Sequence, residues 1–524
     1  MPPKKSQYTI KYKDHEIQPE NFSTGYEQKR NKNGDAVFKK GKPVLVPVRK
    51  RLAQPDDVQT AHASDEKRFR TETSSRPTTS QDASAWDDYA EEYDVGDDDE
   101  MNIPLTSPPT RTNQGRVERV KEAWGELMPK LTQAYIACFE GDGPQYKATN
   151  LNTAVEPCNG CAKPKMVTRN VDCVYMTGIQ KGTLIYCKQC YPDEPVYLMR
   201  HHLLAATPTQ PEMAFHLYVL EFYATLRGFG QTAVQAFGST VSHVHDFHKD
   251  ETLRKNLGHA FFKYLEIATL VEEELVSENE WAKEEYGCPA CPPNRMFIAI
   301  DGNMQLKRYK ANEHDKEKYV EKRYFSADEH QAKYDDHTIR EGVSDASRNC
   351  DSSFKATANA SRGDPLCHES GLVGAICARH DIPLEFTNIF ESGEKFKYAL
   401  AIIDVLLQKP GVKIEALMYD IACRIKSAIR SNFPELRDKN NTKIAVSVFH
   451  AYAHSMKCQV DYNPRYVKGL GLTDGEGMER LWSYLGQFVS ITRPMSAKNR
   501  VLTLCHAISH FKQIRVSTLR KFFL

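Results

Sequence analysis

The sequence has no long apolar run, almost no net charge and no apolar leader. None of its 524 residues falls in a stretch of roughly 18 consecutive apolar residues, the length of a membrane helix, so we expect no membrane span. The first residues, Met1-Pro-Pro-Lys-Lys-Ser6, lack the apolar core of a signal peptide. We therefore expect the 14 cysteines to lie in a reducing compartment, where paired spacings indicate metal binding rather than disulfides.

The formal net charge of +1 hides a marked asymmetry near the N-terminus. Residues 1–51 are basic, with the clusters Lys39-Lys40 and Arg49-Lys50-Arg51, whereas residues 87–100 are dense in Asp and Glu. Blocks of like charge without apolar periodicity are typical of disorder, which predicts a disordered charged tail over 1–114. The basic clusters are also typical of a nuclear localisation signal; a solvated tail explains their composition equally well.

Hydrophobic periodicity and turn residues divide the rest of the chain into four segments and predict a mixed α/β protein. The predicted segments are a cysteine-cluster domain with a flanking helix interrupted near Pro129 (115–207), a helical region (208–286), a catalytic α/β domain with an irregular polar insertion at 304–370 (287–490), and a C-terminal helical segment (491–524).

Two C-x₂-C pairs form the first cysteine cluster: Cys158 with Cys161, and Cys187 with Cys190. Two such turns can complete a tetrahedral zinc site, and the β-rich sequence between them is typical of a zinc ribbon. The alternative is a set of inert buried thiols. Cys173, between the pairs, is either a further ligand or a core residue.

A third pair, Cys288 and Cys291, precedes the central predicted strand. A second zinc site needs partners from further along the chain, and the candidates are Cys350, Cys367 and the C-x₂-H pair Cys377 and His380. Spacing alone cannot choose between such distant ligands. We predict the set that uses the C-x₂-H pair.

Acidic residues follow two apolar runs that are predicted to be buried strands. Asp301 ends the run Met296–Ile300, and Asp420 ends the run beginning at Ile414. A third acidic group, with Glu476 and Glu479, begins a predicted helix. An Asp after a strand is commonly only a turn or helix cap. Three acids on three elements, however, could surround a pair of divalent ions.

The predicted order of elements is a strand, a hairpin (371–389), a helix, a strand (414–419), a helix, a strand (443–449) and a final helix. This order predicts a mixed sheet flanked by helices, the arrangement of ribonuclease-H-like nucleases and transposases, with a zinc-ribbon-like cluster and a helical region before it. Lys307, Arg308 and Lys310 lie among tyrosines after the first strand and are candidate DNA-backbone contacts, although such a run is often a solvated face.

Several composite motifs resemble those of the Kyakuja–Dileera–Zisupton (KDZ) transposases, eukaryotic DNA-transposon enzymes that are widespread in fungi. The motifs are Asp301-Gly-Asn303, Tyr419-Asp-Ile-Ala-Cys423, Phe449-His-Ala-Tyr-Ala-His454, Cys458-Gln459, Asn463-Pro464, and Gly471 through Glu476 and Glu479 to Ser483. The cluster at 158–190 resembles the CxC-type cysteine cluster associated with that family.

The resemblance implies a DDE transposase that cuts and joins DNA with Mg²⁺ or Mn²⁺ held by Asp301, Asp420 and one acid of the last motif. By similarity to the hAT transposases we prefer Glu479 and expect Glu476 to support it. Cys423 and His450 or His454 match a cysteine–histidine feature of related transposases that supports the site. The resemblance also implies a nuclear, fungal protein that binds transposon ends and can form a homo-oligomer.

The end of the chain soon after Glu479 leads us to expect a C-terminal truncation whose basic helix has lost packing partners. The alternative function is therefore a domesticated or decayed relative that binds DNA or chromatin through its zinc module without cleaving DNA. A nuclease without strand transfer is a third, weaker reading.

Overall fold

The computed structural model describes the short segments 21–23, 26–30, 36–40 and 44–46, and then residues 113–139, 158, 160–278, 287–310, 321–334, 366–391, 395–436 and 442–523. The chain divides into two compact units, Met1–Ser80 and Gln81–Leu524. The catalytic domain predicted for 287–490 therefore shares one unit with the cysteine-cluster and helical segments that precede it.

The first unit contains four short strands: β1 (Asn21–Ser23), β2 (Tyr26–Arg30), β3 (Ala36–Lys40) and β4 (Val44–Val46). They form two antiparallel pairs, β1 with β4 and β2 with β3. These strands lie inside the segment predicted to be a disordered tail, and the rest of 1–112 lies outside the described residues.

Over its described residues, the second unit begins with a helix, a four-stranded sheet and four further helices, the first of which lies between strands of the sheet. Its first elements are α1 (Asn113–Ala137), β5 (Met166–Tyr175), β6 (Gly178–Cys187), α2 (Glu194–Arg200), β7 (Leu203–Ala205), β8 (Met213–His216), α3 (Leu217–Gly230), α4 (Val234–Val244) and α5 (Asp250–Glu278). The sheet has the order β6-β5-β8-β7, and its β5–β6 hairpin brings Met166 opposite Cys187.

A five-stranded mixed sheet forms the centre of the second half of this unit. The remaining elements are β9 (Met296–Asn303), β10 (Arg308–Tyr309), β11 (Cys367–Glu369), β12 (Gly371–Cys377), β13 (Pro383–Ile389), α6 (Phe396–Gln408), β14 (Ile414–Tyr419), α7 (Ala422–Asn432), β15 (Lys443–Ala445), α8 (Val448–Ala451), α9 (Met456–Tyr462), α10 (Gly477–Leu485), α11 (Val489–Thr492) and α12 (Ala497–Phe523), with short 3₁₀ helices at Pro293–Arg295, Ser326–Glu329, Gln331–Tyr334, Pro434–Leu436 and Gly486–Phe488.

The sheet has the strand order β13-β12-β9-β14-β15. The hairpin β12–β13 pairs antiparallel with β9, whereas β14 and β15 run parallel to β9. Successive side chains of β9 point to opposite faces of the sheet, and hydrophobic clusters cover both faces. Ile298 and Ile300 enter one hydrophobic cluster with α6 and α7, and Phe297 and Ala299 enter another with α10 and α12. The prediction of a mixed α/β protein is confirmed.

Two local predictions in the first part of this unit are wrong or incomplete. Helix α1 continues through Pro129 instead of breaking there, with Leu127, Met128 and Leu131 buried on either side of the proline. The segment predicted to be entirely helical from 208 contains the buried strand β8, whose pairing with β5 overrides local helix preference.

The polar segment predicted to be an irregular insertion contributes a strand pair and several core residues where the structure describes it. Strand β10 pairs with β11, and Tyr324 and Phe325 are buried, with the Tyr324 carbonyl accepting a 2.6 Å hydrogen bond from Phe386 N–H. Residues 311–320 and 335–365 lie outside the described residues.

The C-terminal segment does not lack packing partners. Helix α12 buries Val501, Leu504 and Ile508 against the central sheet, and Arg500 is 1% exposed. Its basic, partly apolar sequence therefore forms part of the core. The strand predicted for 443–449 stops at Ala445, because α8 begins at Val448. Within the described residues, no helix is long and apolar enough to cross a membrane.

Candidate functional site: an acidic pocket and three cysteine clusters

The sequence-predicted acids meet at one pocket that is partly open to solvent. Asp301 lies near the end of β9, Asp420 follows β14, and Glu476 and Glu479 lie at the start of α10. Because β9 and β14 are adjacent and parallel, their carboxyl ends lie at the same edge of the sheet. All four acids line the pocket, together with Ser447, His450 and apolar neighbours.

The carboxylate of Asp301 is held by a side chain of α10. Trp482 Nε1 donates a 2.7 Å hydrogen bond to Asp301 Oδ2. Trp482 is itself 6% exposed and packs against Phe386 from β13. Glu479 lies three residues earlier in α10, so one helix supplies an acid to the pocket and orients another.

Asp420 and Glu479 are linked through His450. Its Nε2 lies 3.2 Å from Asp420 Oδ2 and 3.7 Å from Glu479 Oε1. Its Nδ1 lies 2.8 Å from Ser447 Oγ, which fixes the ring across the pocket. The Glu479 side chain is 53% exposed and the Asp420 side chain is 24% exposed, so both carboxylates are accessible to solvent.

Glu476 has a different position from Glu479. It is the N-cap residue of α10, and its Oε1 accepts a 2.7 Å hydrogen bond from Phe449 N–H. Asp474 in turn accepts hydrogen bonds from Glu476 N–H and Arg480. Burial raises the pKa of Asp474, but these bonds outweigh it and lower the pKa below its ordinary value.

The first cysteine cluster comes together at one end of the β5–β6 hairpin. The Sγ atoms of Cys158, Cys161, Cys187 and Cys190 all lie within 4.8 Å of one another. Hydrogen bonding from Cys190 N–H lowers the pKa of the Cys187 thiol to about 6, which favours the thiolate that binds metal. Cys173 is buried in the hydrophobic core of the same sheet and is not a ligand.

The second cluster joins Cys288 and Cys291 to Cys377 and His380. His380 Nδ1 lies 3.2 Å from Cys291 Sγ and 3.3 Å from Cys288 Sγ. This selects the C-x₂-H pair from the alternatives left open by the sequence: Cys367 lies in β11, and Cys350 is outside the described residues. Both four-residue clusters have ligands capable of binding a metal such as Zn²⁺.

The two histidines of the supporting motif have separate partners. His450 faces the acids, as described above, whereas His454 Nδ1 lies 3.7 Å from Cys423 Sγ. Cys458 completes a third group of potential ligand atoms within 4.8 Å. In the sequence, Cys458 is only one residue of the Cys458-Gln459 motif and Trp482 one residue of the last motif; their roles depend on contacts between distant segments.

The candidate DNA contacts are only partly compatible with the structure. Arg308 is 1% exposed, and its Nε and second terminal nitrogen donate hydrogen bonds of 2.5 and 3.1 Å to the buried carboxylate of Glu369. A guanidinium enclosed in this way cannot contact a phosphate backbone, so the prediction for Arg308 is wrong. Lys307 is half-buried and Lys310 is exposed.

Fold and clusters together define a mixed α/β protein with an acidic pocket and cysteine sets able to bind metal. Comparison with family models extends this description: residues 294–512 match the Kyakuja-Dileera-Zisupton transposase, and residues 146–249 match the CxC1 like cysteine cluster associated with KDZ transposases. Both matches agree with the resemblance that the motifs predicted. Neither curated proteins nor solved structures gave a match.

Proposed function

We propose that this protein is a metal-dependent DDE transposase that cleaves and joins DNA with Asp301, Asp420 and Glu479. The observation that carries the proposal is the meeting of these acids, from three separate elements, at one pocket. A family domain that implies a transposase supports the same reaction class. The strand order, with two parallel strands beside an antiparallel hairpin, supports a ribonuclease-H-like fold for this domain.

The donor set fits Mg²⁺ or Mn²⁺, because hard cations prefer carboxylate oxygens and here four acidic residues line one pocket. When bound, such ions activate a water or a 3′-hydroxyl and stabilise the leaving oxygen of a phosphodiester. Asp301 is oriented for this role by Trp482, and Asp420 by His450. The half-exposed Glu479 completes the set, whereas Glu476 holds the Phe449 backbone.

DNA is the partner this function requires, and nuclear localisation follows from it. Beside the pocket, two aromatic side chains that are close to His450 in the sequence are exposed: Phe449 is 74% exposed and Tyr452 is 73% exposed. Exposed aromatic rings near a phosphodiester site can stack on unpaired bases. We place the DNA over this rim and over exposed Lys310, in place of the buried Arg308. Assembly as a homo-oligomer remains part of the proposal.

The test is cleavage of DNA that carries the ends flanking the protein's own gene, with purified full-length protein and Mg²⁺ or Mn²⁺. We expect wild-type cleavage and its loss in Asp301→Asn and Asp420→Asn. Glu329→Gln is the matched control, because it removes an exposed carboxylate outside the pocket. DNA binding and thermal melting of each variant separate loss of chemistry from loss of folding.

The proposed enzymatic activity would be rejected if folded, metal-loaded wild-type protein binds these ends but cleaves them with neither cation. DNA binding unchanged by Asp301→Asn would then favour the alternative function, a domesticated or decayed relative that binds DNA or chromatin through its cysteine clusters.

A further inference from the structure

We propose that Cys423, His454 and Cys458 form a third metal site, for a thiophilic divalent cation such as Zn²⁺, which fixes the backbone that carries Asp420. The ligand atoms of these three residues lie within 4.8 Å of one another. Two sulfurs and one imidazole are ligands that Zn²⁺ prefers, and three protein ligands leave a fourth position for solvent.

The hydrogen bonding of His454 fits a metal ligand. Its Nε2 lies 2.8 Å from the carbonyl oxygen of Asp420. A carbonyl oxygen can only accept, so Nε2 is the donor, which leaves Nδ1, next to Cys423, as the ring nitrogen that can bind a metal. Metal-binding histidines usually donate their other N–H to a carbonyl or carboxylate in this way, which fixes both the tautomer and the ring.

The surroundings hold the three ligands in place. Cys423 and His454 are 7% and 5% exposed. Ser455 caps α9 by accepting a hydrogen bond from Cys458 N–H, and Gln459 Nε2 donates a 2.9 Å hydrogen bond to the His454 carbonyl. Cys423 belongs to the first turn of α7, so the site joins two helices that are separate in the sequence.

The proposed metal site is connected to the acidic pocket through Asp420. His454 contacts the backbone of Asp420, and the side chain of Asp420 lines the pocket. A metal on Nδ1 would hold the ring and therefore the Asp420 carbonyl. This second half of the inference, which makes His454 a positioning residue, rests on the proposed function; the metal site itself does not.

The experiment measures bound metal per chain in full-length protein purified with a reductant, by elemental mass spectrometry. We expect three equivalents of Zn²⁺ in the wild type and two in Cys458→Ser. Cys458 is half-buried on a short surface helix, so its replacement leaves the fold intact. Cys138→Ser is the matched control, because Cys138 is a half-buried cysteine outside all three clusters. Two equivalents in the wild type, or three in Cys458→Ser, overturns the metal site.

Replacement of the metal with Co²⁺ gives a second readout. The sulfur-to-cobalt absorption of Cys458→Ser should be lower than that of both the wild type and Cys138→Ser, and an unchanged spectrum contradicts the proposal. This measurement and the metal content do not depend on DNA cleavage, so failure of the proposed function leaves them valid.

If the wild type cleaves DNA, Cys458→Ser should reduce the cleavage rate about 10- to 100-fold, the range for loss of a group that orients a metal ligand. Its Mg²⁺ titration should also shift to higher concentration, because Asp420 is less well positioned. An unchanged rate and titration in a variant that has lost one equivalent of Zn²⁺ would overturn the link to Asp420.

Discussion

Trp482 donates its indole N–H to Asp301 across 2.7 Å, and this bond joins two segments that lie far apart in the sequence. Asp301 comes from the central strand of the sheet and Trp482 from the helix that also carries Glu479. Movement of this helix would therefore change the position of two pocket acids together. A hydrogen bond to a charged group is worth roughly 1.5–3 kcal/mol, enough to orient a carboxylate.

Replacing the donor tests whether this orientation matters. In Trp482→Phe the aromatic ring remains to pack against Phe386, but the N–H is lost. We expect the rate of DNA cleavage to fall roughly 10- to 100-fold, with little change in DNA binding. Trp124→Phe, at a buried tryptophan in α1, is the control and should cleave at the wild-type rate. Equal rates for both variants would show that Asp301 needs no such donor.

The two glutamates at the start of α10 should contribute differently to DNA cleavage. Glu479→Gln removes the carboxylate next to His450, and we expect cleavage to fall by roughly three orders of magnitude, as when a group essential to the chemistry is lost. Glu476→Gln keeps an oxygen that can accept the Phe449 N–H, so its cleavage rate should remain within about tenfold of wild type. The reverse order of the two rates would reassign the third acid to Glu476.

The sequence was most informative where local pattern and tertiary structure agree. Ile414–Tyr419 is an apolar run bounded by turns and is a strand with those bounds, and the hairpin at 371–389 is also as predicted. Asp301 and Asp420 were predicted as site residues for the same reason, because each lies at the end of a buried strand, β9 or β14, and a buried strand fixes where its last residue lies.

What the sequence did not contain was the information carried by long-range contacts. Arg308 reads as one charge in a basic run, and only its pairing with Glu369 shows that it is buried. The partners of Cys288 lie in the β12–β13 hairpin, which no spacing rule predicts. Strand β8 and the packing of α12 likewise depend on neighbours distant in sequence.

Loss of the first cysteine cluster should loosen one end of the β5–β6 hairpin. We expect Cys187→Ser to lose one equivalent of metal and to show faster hydrogen exchange in residues 160–190, because metal binding and local folding are coupled. Cys173→Ala in the same hairpin is the control, since this cysteine packs in the core and is not a ligand. It should retain its metal. Unchanged metal content in Cys187→Ser would argue against the cluster as a zinc site.

Replacement of Arg308 should lower stability, whereas replacement of Lys310 should weaken DNA binding. Arg308→Ala removes the buried guanidinium that pairs with Glu369, which costs roughly 3–5 kcal/mol of unfolding free energy. Lys310→Ala removes an exposed charge and should weaken DNA binding with almost no change in stability. Chemical denaturation and DNA titration at two salt concentrations distinguish the two. A stable Arg308→Ala with weakened DNA binding would return this residue to the DNA contacts.

Glu385 should make stability depend on pH near neutrality. This carboxylate is fully buried beside Lys409, whose Nζ lies 3.2 Å from Oε2, and burial raises the pKa of Glu385 to about 7. The ordinary pKa of glutamate is about 4.3, so between these values the folded state binds a proton that the unfolded state has released. The contribution of Glu385 to stability is therefore complete below about pH 4 and is lost as the pH rises toward 7.

The matched variant is Glu385→Gln, which keeps the shape of the side chain and cannot ionise. We expect the difference in unfolding free energy between wild type and Glu385→Gln to change steadily from about pH 4 to 7, with the wild type losing relative stability as the pH rises. Denaturant unfolding at intervals across this range measures the difference. A difference that is constant with pH would mean that Glu385 keeps its ordinary pKa, with Lys409 compensating fully for burial.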